Sequence, residues 1–445
     1  MPMTDTPHPV RRPPKCQQGG KAIVVGTSLP GRPFVSLFSG AMGLDLGLEE
    51  SGFHPVVCNE IDEMAVATIR RNRPALPIIT DSIEKLGLAE LSEGAGMDVS
   101  GIDLVVGGPP CQAFSVFGQR QGISDGRGKL VFEFIRVISE IKPKTFIMEN
   151  VRGLHSMPVL PKGSASRDFP PDWSKKGSLL REILKRFEAD GYRVDCFLVN
   201  AVNYGAPQIR ERLILIGNRF NVAAKFPEPE FSNRAKDGLP PFRTLGEVIG
   251  NEFVDPDRSA MNFSPRKLGY LSMVPPGGNW RSLPVEIQRE SMGKTWHLKG
   301  GRSAYWRKLS MDFPCPTVVT MPNHAGTSMC HPTELRALTV GEMAAVQEFP
   351  RDWSFAGSPT DKCRQIGNAV PVRLGFVTGK VVDSLLDEIE EKGVYAPSLG
   401  QSTMTHVRPH VRTRTFFRAG RVFAGSHSYY GEEAGQMLLF DTSTR

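Results

Sequence analysis

The chain has no uninterrupted apolar run near the ~20 residues needed to cross a bilayer. Its opening stretch, MPMTDTPHPVRRPPKCQQGG, lacks the apolar core of a secretory signal. Together these absences predict a cytoplasmic protein without a membrane partner. Cysteine is sparse: seven in 445 residues, odd in number, scattered, and without one CxxC pair. That argues against a disulfide framework and a four-thiolate zinc site, and suits a reducing compartment. His324, Cys330 and His331 lie close together but at no spacing typical of zinc, so no metal is expected. Acid is outnumbered by base, 47 residues to 54, for a net charge of +7. A basic balance favours a polyanionic partner without naming one.

What is present is a long alternation. At 445 residues the chain should divide into two or three domains. Residues 1–32, rich in Pro and Gly, read as a flexible N-terminal tail. From Pro33 apolar strands alternate with helices: FVSLF (Phe34 to Phe38), LDLGLEES, HPVVCNE (His54 to Glu60), EMAVATIRRN, PIIT (Pro77 to Thr80), IDLVV (Ile102 to Val106). KLVFEFIRVISEIK (Lys129 to Lys142) sets Val131, Phe134, Ile135 and Ile138 on one helical face. TFIMEN (Thr145 to Asn150), LLREILKRFEADG, RVDCFLVN and RLILIGN follow. This predicts an α/β fold, a doubly wound and mostly parallel sheet over residues 33–226, with chemistry at the carboxyl ends of the strands. Residues 227–332, rich in Pro, Gly, Arg and Trp, break the rhythm and read as a smaller irregular insert. Apolar patterning returns over 333–390, and residues 391–445 read as a basic flexible tail.

Each strand end carries something reactive. LFSGAMG is a Gly-bearing turn, and the second strand ends at Asn59-Glu60, where an acid is placed to accept from ribose hydroxyls. Asp81 follows the third strand, placed either to accept from an adenine amino group or to cap the next helix. GGPPCQ follows the fourth; its prolines stiffen the turn that holds Cys111, a thiol outside the apolar run and placed to act as a nucleophile. Glu149 ends the fifth strand, where burial would raise its pKa and let it carry a proton at neutral pH. In NYGAPQIRERLILIG, alternation sets Arg210 and Arg212 on one face, able to clamp a carbonyl or carboxylate.

In this order the segments FVSLFSGAMG, NEID, GGPPCQAFS, MENVRGL, YGAPQIRERLILIG, RALTVGEMAAVQEFP and RQIGNAVPV resemble the DNA (cytosine-5) methyltransferases of bacterial restriction–modification systems. The resemblance covers about residues 34–226 and 331–380. Ser36 stands where many members have Asp, and Met42 interrupts the usual run of glycines. It implies a Rossmann-like methyltransferase fold, with residues 227–332 as a target-recognition domain. Cys111 would be the nucleophile at cytosine C6, Glu149 the acid at N3, and Arg210, with Arg212, the support on the O2 side. S-adenosyl-L-methionine would be held by Phe38, Ser39, Gly40, Gly43, Glu60, Ile61, Asp81, Ser82, Pro109, Asn368 and Ala369. Gln112, Ser115, Arg120, Arg127, Gln208, Arg302 and Arg307 would contact double-stranded DNA around a flipped base. Residues 118–129, with four glycines, correspond to a mobile catalytic loop. A monomer and a cognate restriction endonuclease are the expected assembly and functional partner. The insert's tryptophans fit a small core of its own or base reading. Three other functions compete: a tRNA methyltransferase with the same chemistry, which the large insert disfavours; a DNA-binding regulator without catalysis; and an NAD-dependent oxidoreductase, which leaves PPCQ and QIRER unexplained.

Overall fold

A computed structural model of the chain describes residues 31–110, 129–160, 171–233, 238–297, 302–392, 402–406 and 436–438. Residues 1–30 of the expected tail, Cys111, Gln112, Ser115, Arg120, Arg127 and the loop before Lys129 lie outside these, while Arg32, expected in the tail, opens the first strand. Strands β1 (Arg32–Leu37), β2 (Phe53–Asn59), β3 (Ile78–Ile79), β4 (Leu104–Gly107), β5 (Thr145–Val151) and β6 (Arg193–Asn200) alternate with helices α1 (Gly43–Glu50), α2 (Glu63–Asn72), α3 (Leu88–Ala95), α4 (Leu130–Ile141) and α5 (Ser178–Ala189). Next come β7 (Gln208–Ile209), β8 (Glu211–Asn218), α6 (Gly246–Ile249), α7 (Pro265–Ser272), α8 (Val285–Met292) and β9 (Cys315–Pro316). The chain then runs through α9 (Val340–Val346), α10 (Pro359–Asn368), α11 (Val372–Lys392), β10 (Thr403–His406) and β11 (Gln436–Leu438).

The main sheet has the order β11-β10-β6-β8-β5-β4-β1-β2-β3. β1, β2, β3, β4 and β5 pair in parallel, and β8 runs antiparallel between β5 and β6. Period-two alternation divides the strand side chains between two cores. Val105, Phe146 and Met148 face one with α4 and α5, while Leu104, Val106 and Ile147 face the other with α11. α4 buries the expected Val131, Phe134, Ile135 and Ile138. On the far side α1 and α11 meet backbone to backbone. A Cβ on Gly47 would lie 2.2 Å from the Val372 carbonyl oxygen, and one on Gly375 2.6 Å from that of Leu44. This close approach carries residues 368–370 to the start of α1.

The described residues from Gly31 onward form one compact unit, so the insert is continuous with the sheet domain. It has a core of its own in which Phe263, Tyr270, Leu271, Trp280 and Trp306 are buried, which gives these tryptophans a packing role. Leu245, Ile249, Leu309 and Val318 seat it against Met343 and Ile366. Apolar patterning returns from residue 333, yet α9 begins only at Val340, because Thr339 and Glu342 form a capping box there. Within the stretch expected to be a tail, Ser402–His406 adds β10 in parallel to β6, and the Thr403 hydroxyl donates to Asp195 at 2.7 Å. Pairing along the edge of β6, which the apolar pattern does not register, orders this segment.

Candidate active site

The ends of β1, β2, β4 and β5 surround a cavity of about 430 Å³, where open α/β sheets place their ligands. Its floor is the turn from β1 into α1. Phe38 (φ 55°), Gly40 (φ 57°) and Met42 (φ 65°) all take the left-handed conformation. For the two non-glycines this costs about 1 kcal/mol or more each. The strained turn is tied to β2: the Ser39 amide donates to the Asn59 carbonyl at 3.1 Å. Glu60 is fixed by three backbone amides, Gly40 at 2.7 Å on one oxygen and Ile61 and Asp62 at 2.8 Å on the other. Ile61 is 62% exposed and lines the cavity with Ser82, Ile83, Asn368 and Ala369. Gly43 lets this last segment close in, since a Cβ there would sit 2.3 Å from the Val370 carbonyl.

The opposite wall is Gly108, Pro109 and Pro110 beside Glu149 and Asn150. Asn150 Nδ2 donates to the Pro109 carbonyl at 3.0 Å, clamping the diproline turn to β5. A Cβ on Gly108 would stand 3.2 Å from Glu149 Oε2, so glycine leaves this carboxylate its room. Glu149 is 9% exposed and ion-paired with Arg212, Nε to Oε1 at 2.5 Å.

Arg210 does something else. Only 1% exposed, it donates through Nη1 to the Val318 carbonyl (2.9 Å) and through Nη2 to those of Gly367 (2.8 Å) and Ala369 (2.7 Å). Burial and then repulsion from Arg212 push its pKa down, while Glu149 works against them. Three carbonyls accept from the guanidinium, whose Nε has no partner among the described residues, and Arg210 staples the insert to the segment that lines the cavity. Gln208 and Gln347 complete this joint: Gln208 accepts from the Val318 amide (2.9 Å) and donates to Gln347 (2.8 Å), which donates to the Ile366 carbonyl (2.6 Å).

Several expectations are therefore corrected. The partner of Glu149 is Arg212, not Arg210. Both line the cavity, but Arg210 lies in the break between β7 and β8, where strict alternation fails. Gln208 is fully buried in the joint, and Arg307, 6% exposed, donates to the Ser328 carbonyl, so neither presents a side chain to DNA. Arg302 lies 5.1 Å from the Trp280 ring centroid and donates to the Trp296 carbonyl, packing within the insert. Asp81 points to Lys85 at 3.3 Å and does not line this cavity. Ser82, not Asp81, begins the turn that follows, without a side-chain cap, so the expected cap by Asp81 does not form. Asn150, Gln347 and Asp45 went unnoticed. Asn150 is adjacent to Glu149 in MENV, and Asp45 interrupts an apolar helix, which were the available signals.

The fold and this cavity define the class, an α/β methyltransferase of Rossmann-like architecture. A solved putative DNA modification methyltransferase encoded within an Escherichia coli prophage superimposes with a TM-score of 0.53 at 24% identity, covering 80% of this chain and 100% of that one. The Entamoeba histolytica methyltransferase EhMeth gives 0.52 at 14%, over 80% and 99%. Residues 33–384 match the C-5 cytosine-specific DNA methylase family, and the chain belongs to it. It is 40% identical to the type II methyltransferase M.PspPI of Psychrobacter over 359 residues, 79% of each chain. With M.Eco47II of Escherichia coli it shares 38% over 365 residues, 80% of each. The protein is a DNA (cytosine-5) methyltransferase.

Proposed function

We propose that the cavity binds S-adenosylmethionine next to a cytosine flipped from duplex DNA, and that Cys111, Glu149 and Arg212 activate that base. The carrying observation is the Glu149–Arg212 pair on the same cavity wall as Pro109 and Pro110, with Cys111 next in the chain. The lining chemistry fits the cofactor. Phe38, Ile61 and Ile83 suit a purine, and the backbone-fixed Glu60 suits ribose hydroxyls, with Ser39, Gly40, Gly43, Ser82, Pro109, Asn368 and Ala369 around them.

Cytosine C5 is a poor nucleophile. Attack of the Cys111 thiolate at C6 turns the ring into an enamine, and Glu149 gives its proton to N3 as charge develops there. Arg212 holds the carboxylate that results and faces the O2 side of the ring. When bound, S-adenosylmethionine supplies an electrophilic methyl on a sulfonium, which C5 takes. Loss of the C5 proton to water then expels the Cys111 thiolate, the N3 proton returns to Glu149, and the aromatic ring is restored. The base is stacked in a duplex, so flipping it costs a few kcal/mol. The insert, read as the target-recognition domain, and the loop after Cys111 offset that cost with phosphate contacts. Its relatives are type II methyltransferases, which supports action in the cytoplasm as the modifying partner of a restriction endonuclease. Methyl transfer from labelled cofactor to duplex DNA and to tRNA, measured side by side for the intact protein and Cys111→Ser, tests the reading. Transfer to duplex DNA alone, lost in the variant while cofactor binding persists, is expected. Turnover in the variant, or transfer to tRNA only, contradicts it.

A further inference from the structure

Asp45, in the first turn of α1, has no role in the chemistry above. It is 2% exposed, lines the same cavity as Glu60 and Asn368, and its Oδ1 is buried without a hydrogen-bond partner among the described residues. A buried carboxyl oxygen left unpaired is costly, and such orphans call for an explanation. The neighbours do not supply one. Facing Asp45 are the Ser36 hydroxyl from β1, Cys58 from β2, Glu60 beyond it, and Glu49 from its own helix. None is cationic. Desolvation pushes the Asp45 carboxyl up to about 7; Glu49 and Glu60 add to the shift, against the Ser36 hydroxyl and the backbone. Cys58 is driven up as well, by burial first and by the charge of Asp45 second. This corner of the cavity favours a group that brings positive charge.

We propose that Asp45 recognises positive charge on the ligand of this cavity, either the sulfonium or the ammonium of S-adenosylmethionine. The inference rests on that cofactor being the ligand. Near neutral pH the free protein holds a proton on Asp45 in part of its molecules, and a cation beside it makes the carboxylate the favoured form. Binding therefore releases a proton, and affinity rises with pH. If the sulfonium is the charge recognised, demethylation abolishes it, and the same carboxyl discriminates cofactor from product.

The test is isothermal titration of the full chain in buffers of different ionisation enthalpy at about pH 6.5, where an α-amino group of pKa ~7.7–8.0 stays protonated. For S-adenosylmethionine, release of more than about half a proton per site is expected. For 5′-methylthioadenosine, which carries neither charge, no release is expected. S-adenosylhomocysteine assigns the source: release with it points to the ammonium, and no release to the sulfonium. Asp45→Asn should abolish the release and flatten a several-fold tightening of S-adenosylmethionine between about pH 6 and about pH 7.5. It should still bind 5′-methylthioadenosine like the parent, which shows an intact cavity. Binding of S-adenosylmethionine to the parent without proton release, or equal release in Asp45→Asn, overturns the proposal. The parent's proton count decides this even if the variant does not fold. No binding of S-adenosylmethionine at all instead defeats the cofactor reading, a separate outcome.

Discussion

The strand-end cavity and the insert hold similar polar and aromatic residues but arrange them differently. In the cavity, side chains are fixed from behind, Glu60 by three amides and Glu149 by Arg212, while both still line open space. In the insert they pack on one another. Arg281 and Arg302 lie 4.4 Å and 5.1 Å from the Trp280 centroid, Trp296 meets Trp280 edge to face, and Arg307 is buried. The first arrangement presents preorganised chemistry; the second builds a small scaffold. An arginine count therefore says little about which residues read bases, whereas a carboxylate at a strand end says a great deal.

The comparison breaks most visibly at Glu149. Glu149→Gln should lower methyl transfer by roughly 10³-fold or more while cofactor binding, followed by titration calorimetry, stays near normal. A sharper contrast lies between the two arginines. Arg212→Lys should lower turnover by about 10²-fold with little change in stability, because it disturbs the charge opposite Glu149. Arg210→Ala should instead lower unfolding free energy by about 3 kcal/mol in urea titration, through three carbonyls left unpaired. Similar effects of the two substitutions on turnover and stability would erase the distinction. On the insert, Arg281→Ala should weaken duplex binding only a few-fold and lower the salt slope by about one, without changing cofactor affinity.

A separate effect concerns pH. Asp45 is an acid raised to about 7 from an ordinary 3.8, so between those values the folded chain keeps a proton that the unfolded chain has lost. Its contribution must therefore fall as pH rises through that window, and the penalty is complete above about 7. Asp45→Asn should remove this downward slope from a series of urea titrations.

The alternation of strands and helices was legible because strands covered on both faces must be largely apolar, as β4 and the middles of β1 and β5 are. Glu60, Glu149 and the diproline turn were legible because chemistry follows strand ends. The division of labour between Arg210 and Arg212 was not. It depends on a break between β7 and β8 and on carbonyls from Val318, Gly367 and Ala369, more than 100 residues away. The apolar neighbours of Asp45 masked its burial, and β10 forms by pairing with an edge rather than by an apolar pattern of its own.

Bisulfite sequencing of DNA from a host expressing the intact chain, beside one expressing Glu149→Gln, tests the central claim most directly. The intact chain should protect cytosines in one recurring sequence context, and the variant should protect none. Unprotected DNA with the intact chain, or the same protected sites with Glu149→Gln, would contradict it.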